Sequence, residues 1–146
     1  MNIRPARPDD AAAIADLATQ LGYPTDPEEA ERRLRDVTSR PENAVLVAEI
    51  DGAVIGWIHA AGTHTVETEP FAEIRALVVD KARRGGGLGA ALVEAANEWA
   101  AGHGFRTLRV RSNVVRERTH RFYERLGFAR IKSQVAFARP IDPETS

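Results

Sequence analysis

Residues 84–89 read Arg-Gly-Gly-Gly-Leu-Gly, set between a run with the pattern of a strand and a run with the pattern of a helix. Upstream, 73–79 is apolar and β-branched; downstream, Leu88, Leu92, Ala95 and Trp99 recur at helical spacing until Gly102 and Gly104. Glycines at such a junction let backbone N–H groups close on an anion, and the helix N-terminus adds about half a positive charge. Arg83 or Arg84 can grip the same anion with a two-pronged hydrogen bond. The segment therefore reads as a pyrophosphate cradle, against the plainer reading of a tight turn whose glycines serve geometry alone.

The elements around it define the fold class. A short strand over 2–4 precedes Pro5, and Asp9 or Asp10 can cap a helix carrying Ile14, Leu17, Ala18 and Leu21, ended by Gly22. A second helix opens with Asp26 as N-cap, Pro27 in the first turn and Glu29 closing a capping box. Its apolar stripe is Ala30, Leu34 and Val37, and Glu28–Arg32, Glu29–Arg33 and Glu31–Arg35 are spaced as ion pairs. Residues 44–50 and 53–61 are apolar β-branched runs joined by Asp51-Gly52, a two-residue hairpin signal. A loop over 63–72, the strand 73–79, the glycine-fed helix and a strand over 106–112 follow. Leu108 and Val110 of that strand point one way. A helix over 116–126, burying Thr119, Phe122 and Leu126, ends at Gly127, and 128–139 reads as extended. The order βααβββαβαβ predicts one mixed α/β domain over 1–146, with a mainly antiparallel central sheet and helices on both faces.

Composition narrows the function. A chain of 146 residues suits one domain, and its formal charge of −1 gives no basic field to hold a nucleic acid. There is no cysteine, which removes disulfides, thiolate metal sites and a cysteinyl intermediate. No metal site is expected. The start, MNIRPARPDD, lacks an apolar leader core, and no apolar run approaches the ~18 residues of a membrane span, so a cytoplasmic location is expected.

Among nucleotides, a P-loop needs Gly-Lys-Ser/Thr, and neither lysine nor hydroxyl follows Gly89. A dinucleotide fingerprint could be mimicked by Gly85, Gly87 and Ala90, but hairpins precede the loop and the next strand ends in Ser112-Asn113 rather than an acid. Leu77-Val78-Val79 followed by Arg84-x-x-Gly87-x-Gly89 strongly resembles the signature of the GCN5-related N-acetyltransferase (GNAT) superfamily. Downstream, Tyr123-Glu124-Arg125-Leu126-Gly127-Phe128 looks like a second block of the same family, a helix and a strand away.

The resemblance implies a sheet splayed between the strands at 73–79 and 106–112, with acetyl-CoA in the gap. Pantetheine would pair with the backbone at Leu77 and Val79, and the pyrophosphate would rest on N–H groups of Arg84, Gly85, Gly86, Gly87, Leu88, Gly89 and Ala90. Asn113, Arg116, His120, Phe122, Tyr123 and Arg125 would flank the coenzyme from the far side. Arg116 stands where the family usually has an asparagine, and Asn113 lies further upstream. The family's last hairpin is longer than the tail here: either Lys132-Ser133-Gln134 turns a tight corner, or one strand is missing or supplied by a partner, which makes a homodimer worth testing.

Amide formation from a thioester needs a neutral amine, a stabilised oxyanion and a proton for the leaving thiolate. Tyr123 is the candidate acid and Glu73 the first-choice base, against a surface salt-bridge reading of Glu73; Glu67, Glu69 and His64 are rivals. Alternation puts Glu73 on one face with Arg75, Leu77 and Val79. A backbone N–H near Leu77 would meet the oxyanion. Tyr23, Trp57 and His59 are candidates to shape the acceptor pocket. Glu67, Glu69 and Glu73 favour a cationic acceptor, a small-molecule or protein amine. The competing reading is a coenzyme A-binding module without turnover.

Overall fold

The computed structural model describes residues 1–112 and 117–141. They fall into two compact units, Met1–Arg111 and the chain from Ser112 onward.

The first unit is built on a sheet of five strands among the described residues: β1 (Asn2–Pro5), β2 (Asn43–Ile50), β3 (Ala53–Thr63), β4 (Phe71–Val79) and β5 (Leu108–Val110). Their order in the sheet is their order in the chain. The first four pair antiparallel, and β5 joins β4 in parallel through α3 (Leu88–Gly102), the long crossover that parallel pairing requires. The β2–β3 turn puts Asp51 at φ 50° and Gly52 at φ 80°, the two left-handed residues of a turn matched to strand twist.

Helices α1 (Ala11–Gln20) and α2 (Pro27–Thr38) cover one face. Ala11, Ile14, Ala15, Ala30 and Leu34 form a buried cluster there with Val45 and Val47, and Trp57 packs against it. Helix α3 covers the other face, where Leu88 and Leu92 sit so close to Gly56 that an added Cβ would lie 3.1–3.3 Å from them. The buried side of α3 runs through Leu88, Leu92, Val93, Ala96 and Ala100, turned slightly from the expected stripe. Ala95 and Trp99 lie at its margin, where Trp99 stacks with His103 and Phe105 instead.

The caps follow the sequence in part. Asp26 accepts hydrogen bonds from the N–H groups of Glu28 and Glu29. The Glu29 carboxylate turns outward to Arg33, with Arg32 at 3.9 Å, so the reciprocal half of the box and the Glu28–Arg32 pair are replaced by an exposed ion pair. Asp26→Ala should therefore lower unfolding stability by about 1 kcal/mol, read as a shift in denaturant midpoint at unchanged slope. Asp10 caps no α1 N–H. Its buried carboxylate instead takes the Arg7 N–H at 2.7 Å and the Arg4 guanidinium at 2.8 and 2.9 Å. The Arg4 hydrogen bond is the main cause holding this carboxyl below the usual carboxylate range. Helices α1 and α3 end alike: Tyr23 N–H reaches back to Ala18 and Phe105 N–H to Ala100, each across a glycine at positive φ.

The second unit holds α4 (Glu117–Arg125). It closes the same way, with Phe128 N–H on Tyr123 C=O, Gly127 N–H on Glu124 C=O, and Gly127 at φ 94°. Leu126, expected in the core, is exposed, and the buried residue of the helix is Tyr123. Residues 128–141 form no strand, against expectation. A strand needs a neighbouring edge to satisfy its backbone, and the only regular element in the described part of this unit is a helix.

Candidate active site

The strand β4 carries a bulge that decides which residues share a face. Its register with β3 runs Glu73↔Ala61 and Ile74↔Ala60, then Ala76↔His59 and Leu77↔Ile58, so Arg75 is the extra residue. Simple alternation, which aligned Glu73 with Leu77 and Val79, fails across it. Glu73 shares the α1/α2 face with Ala61, His59 and Trp57, whereas Leu77 and Val79 follow Ile58 and Gly56 onto the α3 face. The β4–β5 ladder covers only Ala72↔Leu108, Glu73↔Arg109 and Ile74↔Val110. Past Ile74 the backbone edge of β4 has no described strand beside it, which is the opening expected next to Leu77, Val78 and Val79.

On the α1/α2 face the polar residues converge. Glu73 is 4% exposed. Its Oε1 meets Arg75 Nη1 at 2.5 Å and its Oε2 meets Arg111 Nε at 3.3 Å. Arg75 Nη2 also donates to Thr63 Oγ1 at 3.1 Å. Arg109 stacks its guanidinium 3.9 Å above the Phe71 ring. His59 lies one pair further along, half-buried, with Nε2 2.9 Å from Asn43 Oδ1. Burial, and then the charge of Arg75, lower its pKa, so it is neutral near pH 7. Trp57 is half-buried, and its indole N–H has no partner among the described residues.

The connection between β3 and β4 leaves Glu67 and Glu69 exposed, while His64 is tied to Glu42 at 2.8 Å. Tyr23 is exposed after α1, its carbonyl taken by the Thr25 hydroxyl.

At the head of α3 the chain makes a short 3-10 turn, Lys81–Arg83, held by Asp80, then passes Arg84 in extended conformation. Gly85 and Gly87 have φ 86° and 83°, and a Cβ at either would meet nothing within 4 Å. Gly87 is the N-cap and offers no side chain, and among the described residues the N–H groups from Gly85 to Ala90 donate to no internal partner. Residues 81–87 are exposed. Unpaired N–H groups, two left-handed glycines, a helix N-terminus and an adjacent arginine fit a diphosphate.

In the second unit, Tyr123 packs edge-on between the rings of Phe122 and Phe128, at 5.0 and 5.5 Å. Desolvation pushes its hydroxyl up to about 12. His120 Nδ1 lies 3.2 Å from Arg130, and Arg125 is exposed. Asn113 and Arg116 lie outside the described residues. Sequence reasoning missed Arg109, Arg111 and Asn43. With Leu108 and Val110 facing one way, Arg109 and Arg111 had to face the other, and that was the available signal.

The profile of the Acetyltransferase (GNAT) family matches residues 11–128. An aminoglycoside N(6')-acetyltransferase type 1 from Stenotrophomonas maltophilia is 30% identical over 146 residues, covering 97% of this chain and 94% of that protein. An uncharacterized N-acetyltransferase from Bacillus subtilis is 30% identical over 133 residues, covering 88% and 89%. Among solved structures, the apo aminoglycoside 6'-N-acetyltransferase AAC(6')-Ig of Acinetobacter haemolyticus superposes with a TM-score of 0.82 at 21% identity, over 97% of this chain and 100% of that one. The aminoglycoside N-acetyltransferase AAC(6')-Iy in complex with CoA gives 0.85 at 17% identity, over 96% and 95%. The glycine-headed α3, the interrupted β4–β5 ladder and these matches have one meaning: the chain belongs to the GNAT acetyltransferase family. It is an acetyltransferase of a family whose acyl donor is acetyl-CoA.

Proposed function

We propose that the chain moves the acetyl group of acetyl-CoA onto a primary amine of a small molecule by direct attack, with both substrates bound together. The observation that carries this reading is the row of N–H groups from Gly85 to Ala90, unpaired among the described residues, with a β4 edge that no described strand covers past Ile74. The amine nitrogen bonds to the thioester carbonyl carbon, the oxyanion is met by a backbone N–H near Leu77, and the C–S bond then breaks. With no cysteine in the chain, an acetyl-cysteinyl intermediate has no place to form. Tyr123, whose hydroxyl is protonated at neutral pH and holds its proton the more tightly for being buried, supplies the proton to the thiolate. The arriving ammonium sheds one proton to solvent before it attacks, and the second proton, surplus once the C–N bond forms, moves toward Glu73, directly or through water.

A protonated amine is the form that arrives, and exposed Glu67 and Glu69 favour its approach. The full-length similarity to an aminoglycoside N(6')-acetyltransferase makes aminoglycosides the first acceptors to assay. The test is thiol release from acetyl-CoA across a panel of amines, with products identified by mass spectrometry. Tight coenzyme binding without release on any amine would return the chain to the binding-module reading.

A second reading of Glu73 is favoured by both of its oxygens being held by guanidinium groups. In that reading it positions the arginines and takes no proton. Glu73→Gln separates the two. As base, its loss lowers kcat and displaces the acidic limb of the pH–rate profile; as positioning group, its loss raises KM and leaves the profile in place. Coenzyme affinity stays the same in both.

A further inference from the structure

We infer that the acceptor carries an anionic group, a carboxylate or phosphate, besides its amine, and that Arg111 with Arg75 binds it. This rests on the acetyltransferase reading above and narrows its acceptor class to zwitterionic amines of the amino-acid kind. The charges on the α1/α2 face at the level of β4 do not balance. One carboxylate, Glu73, is buried between Arg75 and Arg111, while Arg109 on the paired strand lies over Phe71. Two guanidinium groups thus hold this one carboxylate, and a third stands over the neighbouring Phe71.

The two that hold Glu73 do so with part of their donors only. Arg75 gives Nη1 to Glu73 and Nη2 to Thr63, with its side chain 39% exposed. Arg111 gives only Nε, its side chain is 74% exposed, and its two terminal nitrogens have no hydrogen bond among the described residues. Those nitrogens form a fork whose stem is ion-paired at 3.3 Å to the buried carboxylate, and a guanidinium fork suits a carboxylate or phosphate. Glu73 orders that fork but leaves an excess positive charge, so the face as a whole repels a polycation. Glu67 and Glu69 lie on the β3–β4 connection, separate in sequence from the arginines.

The test uses the full chain and acetyl-CoA, with thiol release measured for matched acceptors: α-, β- and γ-amino acids, aminoalkyl phosphates, the carboxamide of each amino acid, and an aminoglycoside. The expected result is a kcat/KM at least tenfold higher for the anionic member than for its carboxamide. That ratio should fall toward one in Arg111→Ala and recover in part in Arg111→Lys, which keeps the charge without the fork. A thermal melt confirms that each variant is folded, and Arg75→Gln gives an independent second variant. Turnover of the aminoglycoside with none of the anionic amines would overturn this inference and leave the acetyltransferase reading standing. So would a carboxylate-to-amide ratio that stays the same in Arg111→Ala. No release on any amine would overturn both.

Discussion

Gly87→Glu should abolish coenzyme A binding in a protein that still folds. Gly87 caps α3 at φ 83°, and a Cβ there would meet no atom within 4 Å, so no clash stands against the fold. A non-glycine residue in this left-handed conformation costs about 1–2 kcal/mol, which a domain of this size can absorb. Its carboxylate would, however, project among the unpaired N–H groups from Gly85 to Ala90 and occupy the place of a diphosphate. Calorimetric titration with coenzyme A should show at least a hundredfold loss. Arg84→Ala should be milder, by the ~1.5–3 kcal/mol of a charge-assisted hydrogen bond. Undiminished affinity in folded Gly87→Glu would remove the cradle assignment.

Tyr123→Phe should lower turnover by ~10²–10⁴, the range for loss of a positioned acid. The ring contacts with Phe122 and Phe128 survive the change, as does the backbone closure of α4 on Phe128, so stability at neutral pH should move little. At high pH the variant should gain relative to the parent. Folding raises the hydroxyl's pKa from 10.0 to about 12, so the folded chain holds this proton more tightly and the parent loses stability as pH climbs through that window. Phenylalanine has no such proton to lose. Coenzyme affinity should change far less than the rate. The deficit should shrink with an acyl donor whose leaving thiol is more acidic, because that thiolate needs less help. A rate near the parent's with acetyl-CoA would transfer the acid's role to water.

Features set by neighbours along the chain were legible before any coordinates. Asp51-Gly52 dictated its hairpin, Asp26 its cap, and Gly22, Gly104 and Gly127 their helix ends, because each depends on a few consecutive dihedrals and on which residues tolerate positive φ. The glycine turn that opens α3 was legible for the same reason. What could not be read depends on pairing between distant segments. The bulge at Arg75 is one residue of register, and alternation within β4 alone gives no sign of it. The grip of Arg111 on Glu73 requires β5 to lie parallel to β4 with Arg109 opposite Glu73. Alternation of Leu108 and Val110 leaves Arg109 and Arg111 a common face, but only the register says what they face. The tail from Phe128 onward shows the converse: extended-looking composition becomes a strand only where an edge receives it.

The extra residue at Arg75 also makes β4 a strand with two independent vocabularies. Upstream of it, Phe71 and Glu73 are presented to one side of the sheet; downstream, Leu77 and Val79 are presented to the other. If the acceptor is read on the first side and the donor on the second, substitutions at 71, 73 and 75 can retune the amine that is accepted without touching the positions that hold coenzyme. A single strand then serves as a fixed reader for a common currency and a variable reader for its recipient. On that division, diversification of acceptors needs no new element, only new side chains ahead of the bulge.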